Sequence, residues 1–297
     1  MRKLRALCQG MIIFSLMLAG SLGVGAAGKP LSVFVSILPQ KYFVERIARS
    51  NVKVSVMVRP GADPVTYEPS PRQMAELAHA KAYFRIGVPF EEAWLDRMQK
   101  NHPRLLVVDT RKGIPLKALS GHHHHSGLDQ PVLPEMVMDP HIWLSPRLAK
   151  RQAETICKTL IALDPAHQGD YQRDCAQFLQ ELDAVDQEIR WILKDAQGGK
   201  FMVFHPAWGY FADEYGLEQI PIEVEGKEPS AKELARTIDL ARQQGIRLIY
   251  VQSQFSTKPA ETIAKAIGGQ IVQLDPLAED YLTNLLAMAK AIAAGAR

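Results

Sequence analysis

LSVFVSILPQKYFVERIARSNVKVSVMV, residues 31–58, decides the architecture. A β-branched run over Leu31 to Ile37 gives way to a helical pattern over Gln40 to Arg49, and a second β-branched run follows at Lys53 to Val58. Strands separated by helices need crossover connections, which predicts a mainly parallel sheet covered on both faces. The alternation continues with strands at Tyr83 to Ile86 and Leu105 to Val108 and helices at Arg72 to His79 and Glu91 to Lys100.

The same plan returns later, with strands at Phe201 to Phe204, Gln219 to Val224, Leu248 to Val251 and Gln270 to Leu274. Helices fill the gaps at Trp208 to Tyr215, Ala231 to Gln244, Pro259 to Ile267 and Tyr281 to Ala294. The fold expected is α/β: two Rossmann-like (βα)4 lobes with parallel sheets. Between them Ser145-Pro146 supplies a cap and first-turn proline for a helix to about Leu163, and a second helix runs from about Pro165 to Asp195. At about 1.5 Å per residue that second helix exceeds what one small lobe needs, so it is assigned as a rigid connection. The expected boundaries are 29–163 for the first lobe, including a loop over 112–138, 164–196 for the linking helix and 197–297 for the second lobe.

Residues 1–28 combine Arg2, Lys3 and Arg5 with an apolar run from Met11 to Leu18 and small residues at Val24 to Ala27, the layout of a secretory signal cleaved near Ala26 or Ala27. Cys8 precedes the apolar run and so is not placed for lipid attachment. Removing the three basic residues of that leader from the chain's 35 Lys and Arg leaves 32 against 32 Asp and Glu. A balance without basic blocks argues against a nucleic-acid partner. An extracytoplasmic address also favours a disulfide between Cys157 and Cys175, which lie on either side of the helix break at Asp164-Pro165.

Chemistry concentrates in two places. The loop over 112–138 holds His122, His123, His124 and His125 in a row, and Asp139-Pro140-His141 follows it. In open α/β sheets ligands bind beyond the carboxyl ends of the strands, where His205 follows Phe204 and Asp275 follows Leu274. Two imidazoles and a carboxylate from facing lobes make a zinc-type donor set, at about 2.0 to 2.2 Å from the ion. His79, His102 and His167 lie in or beside helices and are read as surface or satisfied polar residues. A zinc hydrolase would need a base beside the metal, and neither Glu68 nor Glu223 is tied to it by spacing; no His-Glu-x-x-His or Gly-x-Ser-x-Gly pattern is present.

Several motifs in order, Ser36-Ile37-Leu38-Pro39-Gln40, Pro64-Val65-Thr66-Tyr67-Glu68-Pro69, Asp139-Pro140-His141-Ile142-Trp143-Leu144, Phe204-His205-Pro206-Ala207-Trp208-Gly209-Tyr210 and Leu274-Asp275-Pro276-Leu277, resemble the metal-binding solute-binding proteins of ABC importers, in their zinc-uptake branch. The resemblance implies a monomeric extracytoplasmic protein, not an enzyme, that carries Zn2+ to a membrane permease, with His141, His205 and Asp275 as ligands. Mn2+, Ni2+ and Co2+ remain alternative cargoes, and a periplasmic metal chaperone or an adhesin remains an alternative role. One departure stands out: Val65 occupies the place of the family's first metal-binding His, and valine has no donor. One of His122 to His125 is a candidate for the missing imidazole, the alternative being a solvated loop that collects zinc weakly and never enters the cleft. Gln252 stands where relatives often carry Glu, and the sequence assigns it no role.

Overall fold

The computed structural model describes residues 30–119, 137–224 and 226–296; the leader and the run His122 to His125 lie outside the described residues. The first sheet is built from β1 (Leu31–Val35), β2 (Val52–Val56), β3 (Ala82–Arg85) and β4 (Leu106–Asp109), parallel and in the order β2-β1-β3-β4. Helices α1 (Leu38–Ala48), α2 (Pro71–Leu77) and α3 (Pro89–Asn101) make its crossovers. After the connecting helices α4 (Pro146–Leu163) and α5 (Gln168–Ile192), the second sheet repeats the arrangement as β6-β5-β7-β8. Its elements are β5 (Lys200–Val203), α6 (Gly209–Tyr215), β6 (Glu218–Pro221), α7 (Ala231–Gln243), β7 (Leu248–Val251), α8 (Lys258–Ile267), β8 (Gln270–Gln273) and α9 (Tyr281–Gly295). Each sheet reverses its winding beside its first strand, between β1 and β3 and between β5 and β7, which is where a ligand site is expected.

Local chemistry moves several element ends from where periodicity put them. β1 stops at Val35 because Leu38-Pro39 already opens α1. β6 ends at Pro221, although the Ile222 N–H still donates to the Val203 carbonyl (2.9 Å), and Val224 pairs with Lys227. The long helix begins at Gln168, after a single 3-10 turn at Pro165–His167. Ser70 and Ser230 each form a reciprocal capping box, with Gln73 and Glu233.

α5, 25 residues and about 37 Å long at 1.5 Å per residue, lies against α4, α1 and α9. Lys150 pairs with Asp183 and Cys157 meets Tyr171, so α4 and α5 run antiparallel. Phe178 of α5 packs on Tyr42 and Phe43 of α1, and Phe43 meets the ring of Tyr281 of α9 edge-on at 4.8 Å. One apolar cluster thus runs from the first sheet through α4 and α5 into α9 and the inner part of the second lobe. A smaller one, with Met202, Ile249 and Ile263, lies beneath α7 and α8.

Cys157 and Cys175 face each other across the α4–α5 seam, both buried, and both are free thiols in this structure instead of the expected disulfide. The Sγ of Cys157 donates to the carbonyl of Tyr171 at 3.7 Å, one turn before Cys175.

Two measurements probe this spine. Phe178→Ala removes a fully buried ring from the junction of α5 and α1 and is expected to cost about 3–5 kcal/mol, read as a lower urea midpoint at an unchanged slope. Arg49's hydrogen bond, with Arg173's beside it, holds the Asp174 carboxyl below its ordinary 3.8 against the opposing effect of burial. A carboxyl lowered on folding contributes stability above its unfolded pKa and loses it as pH falls through the folded one. The destabilisation by Asp174→Asn is therefore expected to be full at pH 7 and to shrink below about pH 4, followed by thermal unfolding of both proteins across that range.

Candidate metal site

The central strand of the second sheet delivers the first donor. His205 lies two residues past the end of β5, at the reversal of winding, and is held from both neighbouring strands. On one side Gln252, fully buried just past β7, grips its backbone at both ends: Oε1 accepts from the His205 N–H (3.2 Å) and Nε2 donates to its carbonyl (2.8 Å). On the other side Glu223, just past β6, takes the ring Nδ1 at 2.8 Å. Phe255 stacks on the imidazole at 5.0 Å and 25°. The position to which the sequence assigned no role, Gln252, thus sets where His205 sits.

His141 arrives from the segment between β4 and α4. Asp139 accepts from both its backbone N–H (2.9 Å) and its Nδ1 (2.7 Å), a local turn that fixes the ring. Although this segment precedes α4 in the chain, and the Asp139 N–H donates to the Lys117 carbonyl (2.8 Å), several of its bonds run to the second lobe. The Tyr210 hydroxyl donates to the Asp139 carbonyl (3.0 Å), the Trp143 indole N–H donates to Pro276 (2.8 Å) and the Tyr281 hydroxyl donates to the Trp143 carbonyl. Gly209 is required here, because a Cβ at that position would stand 2.9 Å from the Asp139 carboxylate. The pair Gly209-Tyr210 in the quoted motif is therefore the seat for Asp139. Burial of His141 holds its imidazolium below the ordinary range, outweighing the nearby Asp139 carboxylate.

Each Nδ1 lies against a carboxylate, that of Asp139 or Glu223, and the two Nε2 atoms lie 3.3 Å apart, within hydrogen-bond reach of each other. Two nitrogens each about 2.0 to 2.1 Å from one tetrahedral ion stand about 3.3 to 3.4 Å apart, so this spacing fits a shared zinc-type ion without rearrangement. The pair opens on a cavity of about 430 Å³ between the lobes, whose wall includes Val65, Trp143, Phe255 and Leu277.

Of the other residues singled out by sequence, Asp275 is not drawn to the pair. Its Oδ1 accepts from the Leu277 N–H (2.9 Å) and from Gln254 (3.3 Å), and it borders a neighbouring recess with Ile37, Arg59 and Glu279. Among the described residues no third His, Cys, Asp or Glu joins the two imidazoles. His167 pairs with Asp164 on the surface and His79 is exposed, as expected of them. Asp139, Glu223 and Gln252 are the functional residues that sequence reasoning left without a role. Gln252 had a usable signal, since it ends the strand beside His205's own; Glu223 had only the adjacency of β6 to β5.

Comparison with known proteins places this arrangement. The family model described as "ZnuA: Zinc-uptake complex component A periplasmic" matches residues 33–295. The chain is 29% identical over 254 residues to the Bacillus subtilis "High-affinity zinc uptake system protein ZnuA", covering 84% of this chain and 79% of that one. A solved "Crystal structure of ZnuA" superposes with a TM-score of 0.82 at 44% identity, over 90% of this chain and 99% of that one. The zinc-bound 138-173 deletion mutant of ZnuA does so with the same score at 45% identity, over 90% and 98% of the two chains. With two matched four-stranded parallel sheets and a His pair at the mouth between them, the chain belongs to the ZnuA family of periplasmic zinc-uptake components.

Proposed function

We propose that this protein captures Zn2+ outside the cytoplasm and delivers it to the permease of an ABC importer. The observation that carries the reading is the 3.3 Å separation of the two Nε2 atoms, each ring turned by a carboxylate on its Nδ1. Carrying, and not hydrolysis, is supported by the use of Glu223: the carboxylate a hydrolase would employ as a base is spent orienting His205. His141 and His205 are the fixed donors. Asp275, once released from Gln254, and one of His122 to His125 are the chain's own candidates for the remaining positions.

His141→Ala or His205→Ala is expected to abolish stoichiometric zinc binding in calorimetric titration. Glu223→Gln is expected to weaken it about 10- to 100-fold, the usual effect of removing a carboxylate that orients a metal-bound imidazole. Wild-type affinity in either alanine variant would sink this assignment. Replacing His122 to His125 with Ser tests the loop separately: unchanged affinity and stoichiometry would exclude those imidazoles from the site.

We also propose that Cys157 and Cys175 pair when the protein is exported to an oxidising compartment, a thiol–disulfide oxidoreductase accepting the two electrons as the two thiols lose their protons. Denatured protein purified from that compartment is expected to show no titratable thiol, and two per chain would disprove the pairing. A disulfide enclosing this short loop adds about 3 kcal/mol, so reductant should lower the melting temperature.

A further inference from the structure

Lys117 lies against the turn that carries His141, and its main chain is tied to that turn on both sides. Its carbonyl accepts from the Asp139 N–H (2.8 Å), and its N–H donates to the Tyr210 hydroxyl (3.1 Å), which in turn donates to the Asp139 carbonyl (3.0 Å). A hydroxyl is thus inserted into one of the two bonds that an antiparallel pair exchanges, and Ala118 bridges Met138 next along. The side chain is fixed as well: Nζ donates to Asp213 of α6 at 2.6 Å and lies 4.8 Å from the centre of the Tyr210 ring. From there the ammonium faces Asp139. A Cβ on Gly209 would stand 2.9 Å from Asp139 Oδ2 and 3.1 Å from Lys117 Nζ, so the two are neighbours across one glycine. Asp139 is 1% exposed, and among the described residues no donor bonds its Oδ2, whereas Oδ1 is engaged by the His141 N–H and ring. The buried oxygen therefore meets the lysine's charge through space and not through a hydrogen bond.

A positive charge held behind one imidazole works against a cation in front of it. Coulomb repulsion between an ammonium and a divalent ion falls only as the inverse of distance, and a partly buried path screens it less than water does. We propose, resting on the zinc-capture reading above, that Lys117, with Asp213 as its counter-charge, sets the affinity of the site below what its donors alone would give and so speeds the ion's release. A carrier has to surrender its ion, and differences in affinity at one site appear mostly in the dissociation rate.

The test compares Lys117→Met, Asp213→Asn, the two combined, Lys117→Arg and Lys265→Met with the wild type. Affinity for Zn2+ is read by competition calorimetry, and release by stopped-flow transfer of bound Zn2+ to excess EDTA. Removing the ammonium is expected to tighten zinc binding about 3- to 10-fold and to slow its transfer by a similar factor. Removing Asp213 leaves the ammonium uncompensated and should weaken binding to a similar extent, while the combined variant and Lys117→Arg stay near the wild type. Lys265→Met takes the same charge from the last turn of α8 and should change nothing. The signs separate this role from anchoring: if Lys117 only tied the turn to α6, Lys117→Met and Asp213→Asn would lose the same ion pair and both would weaken binding. Weaker or unchanged binding in Lys117→Met would overturn the proposal, as would an equal shift in Lys265→Met, which would assign the effect to net charge. Zinc bound by none of the proteins, the wild type included, would overturn the zinc-capture reading and this one with it.

Discussion

Two imidazole Nε2 atoms lie 3.3 Å apart, close enough to share a proton or an ion, and the hydrogen bonds behind them are what keep them there. Asp139 and Glu223 each engage an Nδ1, so neither ring can turn away from its opposite without losing that bond. Gln252 prevents His205 from retreating along its strand, and Tyr210 with Gly209 prevents Asp139 from following its ring outward. The spacing is thus held in place by the fold, ready for a shared proton or a cation. Affinity gained this way needs no reorganisation on binding, which is where flexible sites lose free energy.

That hold depends on a core that does not stop at the lobe boundary. The apolar cluster passes from the first sheet through α5 into α9, and Tyr281 serves two purposes within it: its ring packs on Phe43 while its hydroxyl fixes the Trp143 carbonyl beside His141. The first lobe's own reversal point is closed by a buried network in which Glu91 accepts the N–H groups of Ile86 and Gly87 and Ser36 bonds Tyr83. Equivalent places in the two sheets therefore do different work. One is sealed with internal polar bonds; the other opens its imidazole to the cavity.

Most of the architecture was legible because βα alternation is a local pattern and parallel strands need crossovers. His205 was legible for the same reason, since a strand end is a position along the chain. Glu223 was not, because 18 residues separate it from His205 and only the placement of β6 beside β5 brings them together. The strong bias of Asp139 toward His141 was readable from its spacing of two residues, yet its dependence on Gly209 and Tyr210 is a contact between distant segments. Asp275 is a strand-end carboxylate in the expected place, with one oxygen, Oδ1, engaged by the Leu277 N–H and Gln254.

The docking of residues 139–144 onto the second lobe has a kinetic meaning. His141 is bonded through Asp139, Trp143 and Tyr281 to the same body that carries His205, so both imidazoles move together. With Val65 at the position that would reach across from the first lobe, separating the lobes stretches no imidazole–ion bond. Lobe opening in this chain then changes how easily solvent and ligands reach the two imidazoles, while leaving their spacing unchanged.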